Sequence, residues 1–305
     1  MGKVLFIACT PIARCMMEEI KNNPALSSIE ICGIVNLDPK IAVNKANYDP
    51  YVDLILKYGF PHYYCNNINE YDCLEFVRQC DPDIIIQSGW SQKFKPEIMS
   101  IPKFGCIGEH PAPLPKGRGA ACVNWAIIDG EKDWGDTFFK MEDQYDIGYI
   151  YAQKTFTIEH YDDVKTVYDK VAQSSALIVR ENIIDWTKGS FLPVIQDESK
   201  ATYYKRRTPA DGVFDFTENA LTIYNKIRGQ ARPYPGAFFI WKNKKITVWK
   251  AAFDFQESSS ISNSMSKNPD GSLDVVCGDG YIIKLIRLQS ENQPEIWGNE
   301  WEEIL

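Results

Sequence analysis

The sequence predicts an α/β protein: a doubly wound parallel sheet with a second, smaller, mainly β domain after it. Two observations carry that prediction. Short apolar runs alternate with helically spaced segments from the start of the chain to the Phe104–Gly108 stretch, the signature of a parallel sheet covered on both faces. Paired strand-like runs with polar turns then dominate the last hundred or so residues, as in antiparallel β structure. The length, 305 residues, is enough for two domains of ordinary size.

The first apolar run, KVLFIA (3–8), is bounded by turn-like residues and predicts a buried parallel strand. PIARCMMEEIKN has helical spacing, and IEICGIVN (29–36) predicts a second strand. VDLILKYG is helical and stops at Gly59, and CLEFVRQC is helical again. A third strand is expected at Ile84–Ile86 and a fourth in FGCIG. ACVNWAIIDG (121–130) reads as a helix. After it, DTFFKMEDQYDIGYIYAQKTFTI reads as two strands joined around MEDQYDIG. A long helix ending at Gly189 follows, and then a polar, irregular stretch. LTIYNKIRGQ is helical, GAFFIWKNKKITVWKAAF is a hairpin with a Lys-Asn-Lys-Lys turn, and SLDVVCGDGYIIKLIRLQ is a hairpin turning at Gly278–Gly280. The Ser-rich stretch between the hairpins is expected to be a mobile loop. The expected organisation is a domain over 1–189, a linker over 190–205 and a domain over 206–305.

Net charge is −8, and residues 206–305 carry 12 Lys+Arg against 13 Asp+Glu, a net of −1. That balance weighs against a protein that grips long nucleic acid by its phosphates. No run of about 18 apolar residues predicts a membrane span. The first twenty residues lack the pattern of a signal peptide, and the nine scattered cysteines, with no C-x-x-C pair, read as reduced thiols, so a cytoplasmic protein is expected. The three histidines (62, 110, 160) have no cysteine at ligand spacing, so no metal site is expected. A dinucleotide site is not expected either. The turn after the first strand reads ACTPIA, without the glycines that let backbone amides approach a pyrophosphate.

Ligands in parallel sheets bind at the carboxyl ends of the strands, which directs attention to the loops after Ile86 and Ile107. The second of these is FGCIGEHPAPLPKGRG (104–119). His110 stands at its start, three prolines restrict its freedom, and Gly117 and Gly119 allow close backbone approach. A lone histidine is as often a packing residue as a reactive one, and Asp146 in YDIGYI is by pattern alone a turn aspartate. As functional residues they would be an imidazole and the carboxylate that orients it.

GCIGEHPAPLPKGRGAACVNWAIIDG followed by DTFFKMEDQYDIGYIYAQ resembles the core of the folate-dependent formyltransferases. The His-Pro-x-x-Leu-Pro-x-x-Arg-Gly and Asp-x-Gly-x-Ile runs, 36 residues apart from His110 to Asp146, carry the resemblance. ATYYKRRTPADGVFDF and IYNKIRGQARPYPGAFF are similar to the C-terminal domain of the tRNA-type and sugar-type members of that family. The resemblance implies a Rossmann-like core with an OB-like C-terminal barrel. It implies N10-formyltetrahydrofolate as co-substrate, a primary amine as acceptor, and a catalytic trio of Asn, His and Asp. His110 and Asp146 match two members, and the asparagine position is Gly108. Gln87, Ser88, Ser91, Gln92, Asn124 or a water are candidates to replace the missing donor. The family's pterin pocket maps onto Ser88, Trp90, Gln92 and Phe94 after the third predicted strand, and onto Met141, Glu142 and Asp143. Lys116, Arg118, Arg206 and Arg207 are the candidate cations for an anionic acceptor. The RRTPADG wording is closer to the enzymes of UDP-4-amino-4-deoxyarabinose formylation than to the tRNA enzyme, so a nucleotide-linked amino sugar is the expected acceptor. The alternatives are methionyl-tRNA, or a folate- or sugar-binding protein that turns over little because of Gly108. Dimers are common among the sugar-type relatives, and the resemblance extends to a cis Leu114–Pro115 bond.

Overall fold

The structure is a computed structural model describing residues 1–43 and 45–304. In chain order the elements are β1 (Gly2–Ala8), α1 (Pro11–Asn22), β2 (Ile29–Leu37), α2 (Val52–Tyr58), β3 (His62–Cys65), α3 (Tyr71–Cys80), β4 (Ile84–Ser88), α4 (Pro96–Met99), β5 (Cys106–His110), β6 (Arg118–Gly119), α5 (Cys122–Ile128), β7 (Asp133–Lys140), β8 (Ile150–Thr157), α6 (Val164–Trp186), β9 (Tyr203–Tyr204) and α7 (Ala220–Arg228). β10 (Ala237–Trp241), β11 (Lys244–Ala252), β12 (Met265–Lys267), β13 (Leu273–Val276), β14 (Ile282–Ser290) and β15 (Ile296–Trp297) complete the set.

Two compact units result, and their division is not linear in sequence. One comprises residues 1–119, 133–157 and 168–204; the other comprises 120–132, 158–167 and 205–305.

The first unit is built on a sheet of seven strands among the described residues, ordered β3-β2-β1-β4-β5-β7-β8. The first five are parallel. β7 runs antiparallel to β5, and β8 antiparallel to β7. The doubly wound parallel sheet is as expected, and the two strands expected around MEDQYDIG extend it as an antiparallel pair, since a connection as short as that between β7 and β8 can join only antiparallel strands. Val4 to Ala8 of β1 and Ile84 to Ile86 of β4 are fully buried, which explains their unbroken apolar runs: both faces are covered, so neither needs polar residues. β3 is a strand that the sequence reading passes over. Its residues HYYC lie on the sheet's edge, and only Cys65 is buried.

Leu5, Ile7, Val35, Ile85, Phe94 and Ile98 form much of one core cluster, with Cys65, Cys73 and Cys106 packed in as small apolar groups. Gly59 ends α2 in the left-handed conformation, with φ +68°.

The stretch read as a linker is folded. β9 pairs with β6 in parallel, and Ile150 and Val194 exchange backbone hydrogen bonds.

The second unit packs α7 against an antiparallel sheet ordered β10-β11-β14-β13-β12, with β15 beside β14. The β10–β11 turn has Lys242 and Asn243 both at positive φ, the conformation a tight two-residue hairpin requires. Part of the Ser-rich stretch is ordered as β12, which pairs with β13.

Candidate active site

His110 closes β5, at the edge where the parallel strands present their carboxyl ends. Cross-strand pairing with β4 sets Gln87 beside Gly108, and pairing with β7 sets Thr137 beside His110. Alternation along the strands puts Gln87, Gly108, His110, Thr137 and Phe139 on one face, and Glu109, Asp136 and Phe138 on the other.

The loop after His110 is tied down by its own backbone and by β7. Leu114 N donates to Thr137 Oγ1 at 3.1 Å, and that hydroxyl donates to Ala112 O at 2.6 Å. Gln153 Nε2 donates to Leu114 O and Trp134 Nε1 to Pro111 O. The Leu114–Pro115 bond is cis, as the resemblance implies. The loop then turns back at Gly117, whose carbonyl lies 2.8 Å from His110 Nε2. Only an N–H can meet a carbonyl oxygen, so Nε2 carries the hydrogen. Gly117 has φ +79°, and a Cβ there would sit 2.7 Å from the Trp134 ring. Glycine is required both for the turn and for the space.

The other imidazole nitrogen, Nδ1, faces Asp146 Oδ1 at 3.8 Å, and both side chains are largely buried. Asp146 has φ +61°, and two contacts hold it there. Its Oδ2 accepts from Gly119 N at 2.9 Å. Gln196 Nε2 donates to the carbonyls of Asp146 and Gly148, each at 2.8 Å.

Gln196 is in turn held by Arg118. That guanidinium donates from Nε and Nη2 to Gln196 Oε1, from Nη1 and Nη2 to Glu198, and from Nη1 to the Tyr203 hydroxyl at 2.6 Å. All five donors are used and the residue is fully buried. The expectation of Arg118 as an acceptor-binding cation is corrected: it is a strut that reaches Asp146 through Gln196.

Gly108 is buried, and the reason it bears no side chain is steric. A Cβ would lie 2.7 Å from both Cε1 and Cζ of Phe139 and 3.3 Å from Met141 Cγ. Several candidates for the missing donor are engaged elsewhere. Ser88 Oγ donates to Glu109 Oε2 at 2.6 Å. Gln92 bridges Ile68 N and Asn66 O. Asn124 lies in the second unit, with Nδ2 on Gly229 O at 2.8 Å. Ser91 is exposed. Gln87 is the carboxamide beside Gly108, half-buried, with Nε2 on Trp90 O at 3.2 Å.

Of the residues mapped to the pterin pocket, Phe94 is a core residue, and Trp90 and Met141 pack against the same cluster. Trp90 Nε1 is buried with no hydrogen-bond partner among the described residues. The two pocket loops are linked by an ion pair from Lys93 to Asp143 at 2.5 Å, and Glu142 pairs with Lys140 at 3.1 Å. Lys116 is half-buried, its ammonium 5.9 Å from the Trp134 ring centre. Arg206 and Arg207 belong to the second unit. Arg206 is exposed, and Arg207 stacks on Trp125 and donates to Gln230. Burial holds the Arg207 guanidinium below its usual value. Among the described residues no cluster of three or more His, Cys, Asp or Glu could hold a metal ion, and no helix is long and apolar enough to cross a membrane.

Glu109, Asp136, Gln196 and Thr202, whose Oγ1 accepts from Gly117 N at 2.8 Å, are site neighbours that the sequence does not single out. The sequence does carry a cue for the first: a carboxylate that directly follows the strand expected in FGCIG.

Residues 22–182 match the formyl transferase family, and residues 206–303 match the formyl transferase C-terminal domain. The chain is 30% identical over 258 residues to a methionyl-tRNA formyltransferase of Caldanaerobacter subterraneus subsp. tengcongensis, covering 84% of this chain and 82% of that one. It is 32% identical over 214 residues to the bifunctional polymyxin resistance protein ArnA of Wigglesworthia glossinidia brevipalpis, covering 70% of this chain and 33% of that protein. Among solved structures, WlaRD, a sugar 3N-formyl transferase crystallised with dTDP and 5-N-formyl-THF, is similar in fold. The TM-score is 0.70 at 17% identity, over 96% of this chain and 99% of that one. With the match to the family spanning more than half of the chain, this protein belongs to the folate-dependent formyltransferases and is an enzyme that transfers formyl groups.

Proposed function

We propose that the protein transfers the formyl group of N10-formyltetrahydrofolate to the primary amine of a nucleotide-linked amino sugar, with His110, Asp146 and Gln87 as the reacting site. The observation that carries the chemistry is the imidazole anchored at one nitrogen and facing a carboxylate at the other. Gly117 O holds Nε2–H, so the lone pair of neutral His110 sits on Nδ1, 3.8 Å from Asp146 Oδ1. Nδ1 accepts the proton as the amine attacks the formyl carbon. Asp146 stabilises the imidazolium, and the proton then returns to the leaving nitrogen of the folate. Charge develops on the formyl oxygen in the same step and needs a donor. The Gln87 amide supplies it, in place of the amide that Gly108 lacks.

The folate lies against the loops of Ser88–Phe94 and Met141–Asp146, with Trp90 at the entrance. Lys116 is the cation of the first unit offered to the acceptor's anionic part. The amino-sugar assignment rests on charge: the C-terminal hundred residues have a net of −1, without the basic excess that a tRNA grip requires.

Methionyl-tRNA is the second reading, favoured by the 30% identical relative that the chain matches along most of its length. A single assay separates the two. Tetrahydrofolate release is followed with a panel of nucleotide-linked amino sugars and, in parallel, with charged initiator tRNA. Turnover with an amino sugar and none with tRNA supports the first reading, and the reverse result replaces it with the second.

A further inference from the structure

On the face of β5 away from His110, two acidic side chains are buried together under α6. Glu109 comes from β5 and Asp136 from β7, with relative exposures of 5% and 0%. Glu109 stands opposite Phe138, so Asp136, two residues along β7, is its diagonal neighbour on the same face. Each carboxyl has one serine: Ser88 Oγ of β4 donates to Glu109 Oε2 at 2.6 Å, and Ser175 Oγ of α6 donates to Asp136 Oδ2 at 2.5 Å. The remaining oxygens, Glu109 Oε1 and Asp136 Oδ1, are buried without a donor among the described residues. The register of β5 against β7 sets the two carboxyls side by side on that face. Ionised carboxylates only accept, so the pair is satisfied when one proton lies between them. Burial pushes Glu109 above the ordinary carboxyl range. It pushes Asp136 well above that range, and the charge of Glu109 adds to the effect.

We propose that Glu109 and Asp136 share a single proton and act as one buried anion that holds the proton on His110. The coupling is local: Glu109 adjoins His110 in the chain, and His110 interacts electrostatically with both carboxyls. Among the described residues no cation forms an ion pair with Glu109 or Asp136. Lys154 of β8 pairs in register with Asp136, but its ammonium is matched by Glu181 of α6 at 2.9 Å. On the other side of β5, His110 meets Asp146 at Nδ1 and the neutral Gly117 carbonyl at Nε2. A buried acid pair costs more than an apolar pair of similar volume, so its presence in the sheet calls for a return, and a higher affinity of the imidazole for its proton is that return. Glu109 and Asp136 are positioning residues in this role.

The significance for turnover rests on the reading of His110 as the proton carrier, but the test has a readout that does not. The chain has three histidines, so NMR can follow each imidazole through a pH titration. Glu109→Gln alone, or Asp136→Asn alone, replaces the shared proton by an amide N–H and keeps one negative charge, and the His110 midpoint is expected to stay in place. The double amide variant is neutral, and the His110 midpoint is expected to fall by about one pH unit while His62 and His160 do not move. Glu109→Leu with Asp136→Val keeps the pocket apolar and should give the same fall, which covers a double amide that does not fold. A His110 midpoint unmoved in both double variants overturns the proposal, as does a single amide variant that moves it as far as the double. If the midpoint falls but the pH–rate profile does not follow, the anion stands and the role of His110 in turnover fails.

Discussion

The ring of Phe139 occupies the space that a side chain at Gly108 would need, with two ring carbons 2.7 Å from the Cβ position. Restoring an asparagine there is therefore not a gain. Gly108→Asn is expected to lower stability by about 1–3 kcal/mol through overpacking and to leave turnover no faster. Urea unfolding and steady-state rates check both parts. A faster enzyme of unchanged stability would mean that Phe139 moves aside freely.

Gln87 is the test of where the lost amide function went. Gln87→Leu keeps the volume and removes the donor, and kcat is expected to drop about 100- to 1000-fold with folate affinity retained. Folate binding is read from tryptophan fluorescence and kcat from tetrahydrofolate release. An undiminished kcat would exclude Gln87 as the donor.

Asp146 sits at φ +61°, where alanine is strained and asparagine is tolerated. Asp146→Asn therefore removes charge without adding backbone strain. Turnover is expected to fall by at least about 100-fold, the scale of a lost acid–base function, while the melting temperature holds. Asp146→Ala should lose activity and also melt earlier. Equal melting of the two variants would show that the backbone conformation carries no cost.

Burial pushes the thiols of Cys32, Cys106 and Cys277 up to about 12. In the unfolded chain they ionise near 8.5, so between the two values the unfolded state sheds protons that the native state keeps. Their contribution to stability is full below about pH 8.5 and declines as pH rises toward 12. The urea midpoint, measured with reductant present, is expected to fall as pH passes about 9, and a thiol reagent should label Cys106 only on unfolding. Rapid labelling of Cys106 in the native enzyme would contradict the burial argument.

The parallel half of the sheet is legible because its strands are covered on both faces, and Val4–Ala8 and Ile84–Ile86 announce that with unbroken apolar runs. β3 is not legible, because an edge strand reading HYYC has neither an apolar run nor a clean alternation. His110 and Asp146 are singled out by the family resemblance of the two runs that contain them, since by pattern alone one reads as a packing histidine and the other as a turn aspartate. Arg118 is misread for a physical reason: an arginine between two glycines looks like a surface cation, and only the pairing of β6 with β9 brings Glu198, Gln196 and Tyr203 over it. The partner of Glu109 is equally hidden, since the register of β5 against β7, rather than sequence distance, selects Asp136.

The clasp of Arg118 by Gln196, Glu198 and Tyr203 has a consequence for chimeras. The carboxylate facing His110 takes its position from residues that lie after the long helix. A catalytic cassette cut at Gly189 would carry His110 and Asp146 without the groups that aim them, whereas one extended through Tyr204 takes the whole assembly along. Exchanges of the C-terminal segment between family members should therefore be joined after Tyr204, with 120–132 and 158–167, the other parts of the second unit, taken from the same donor.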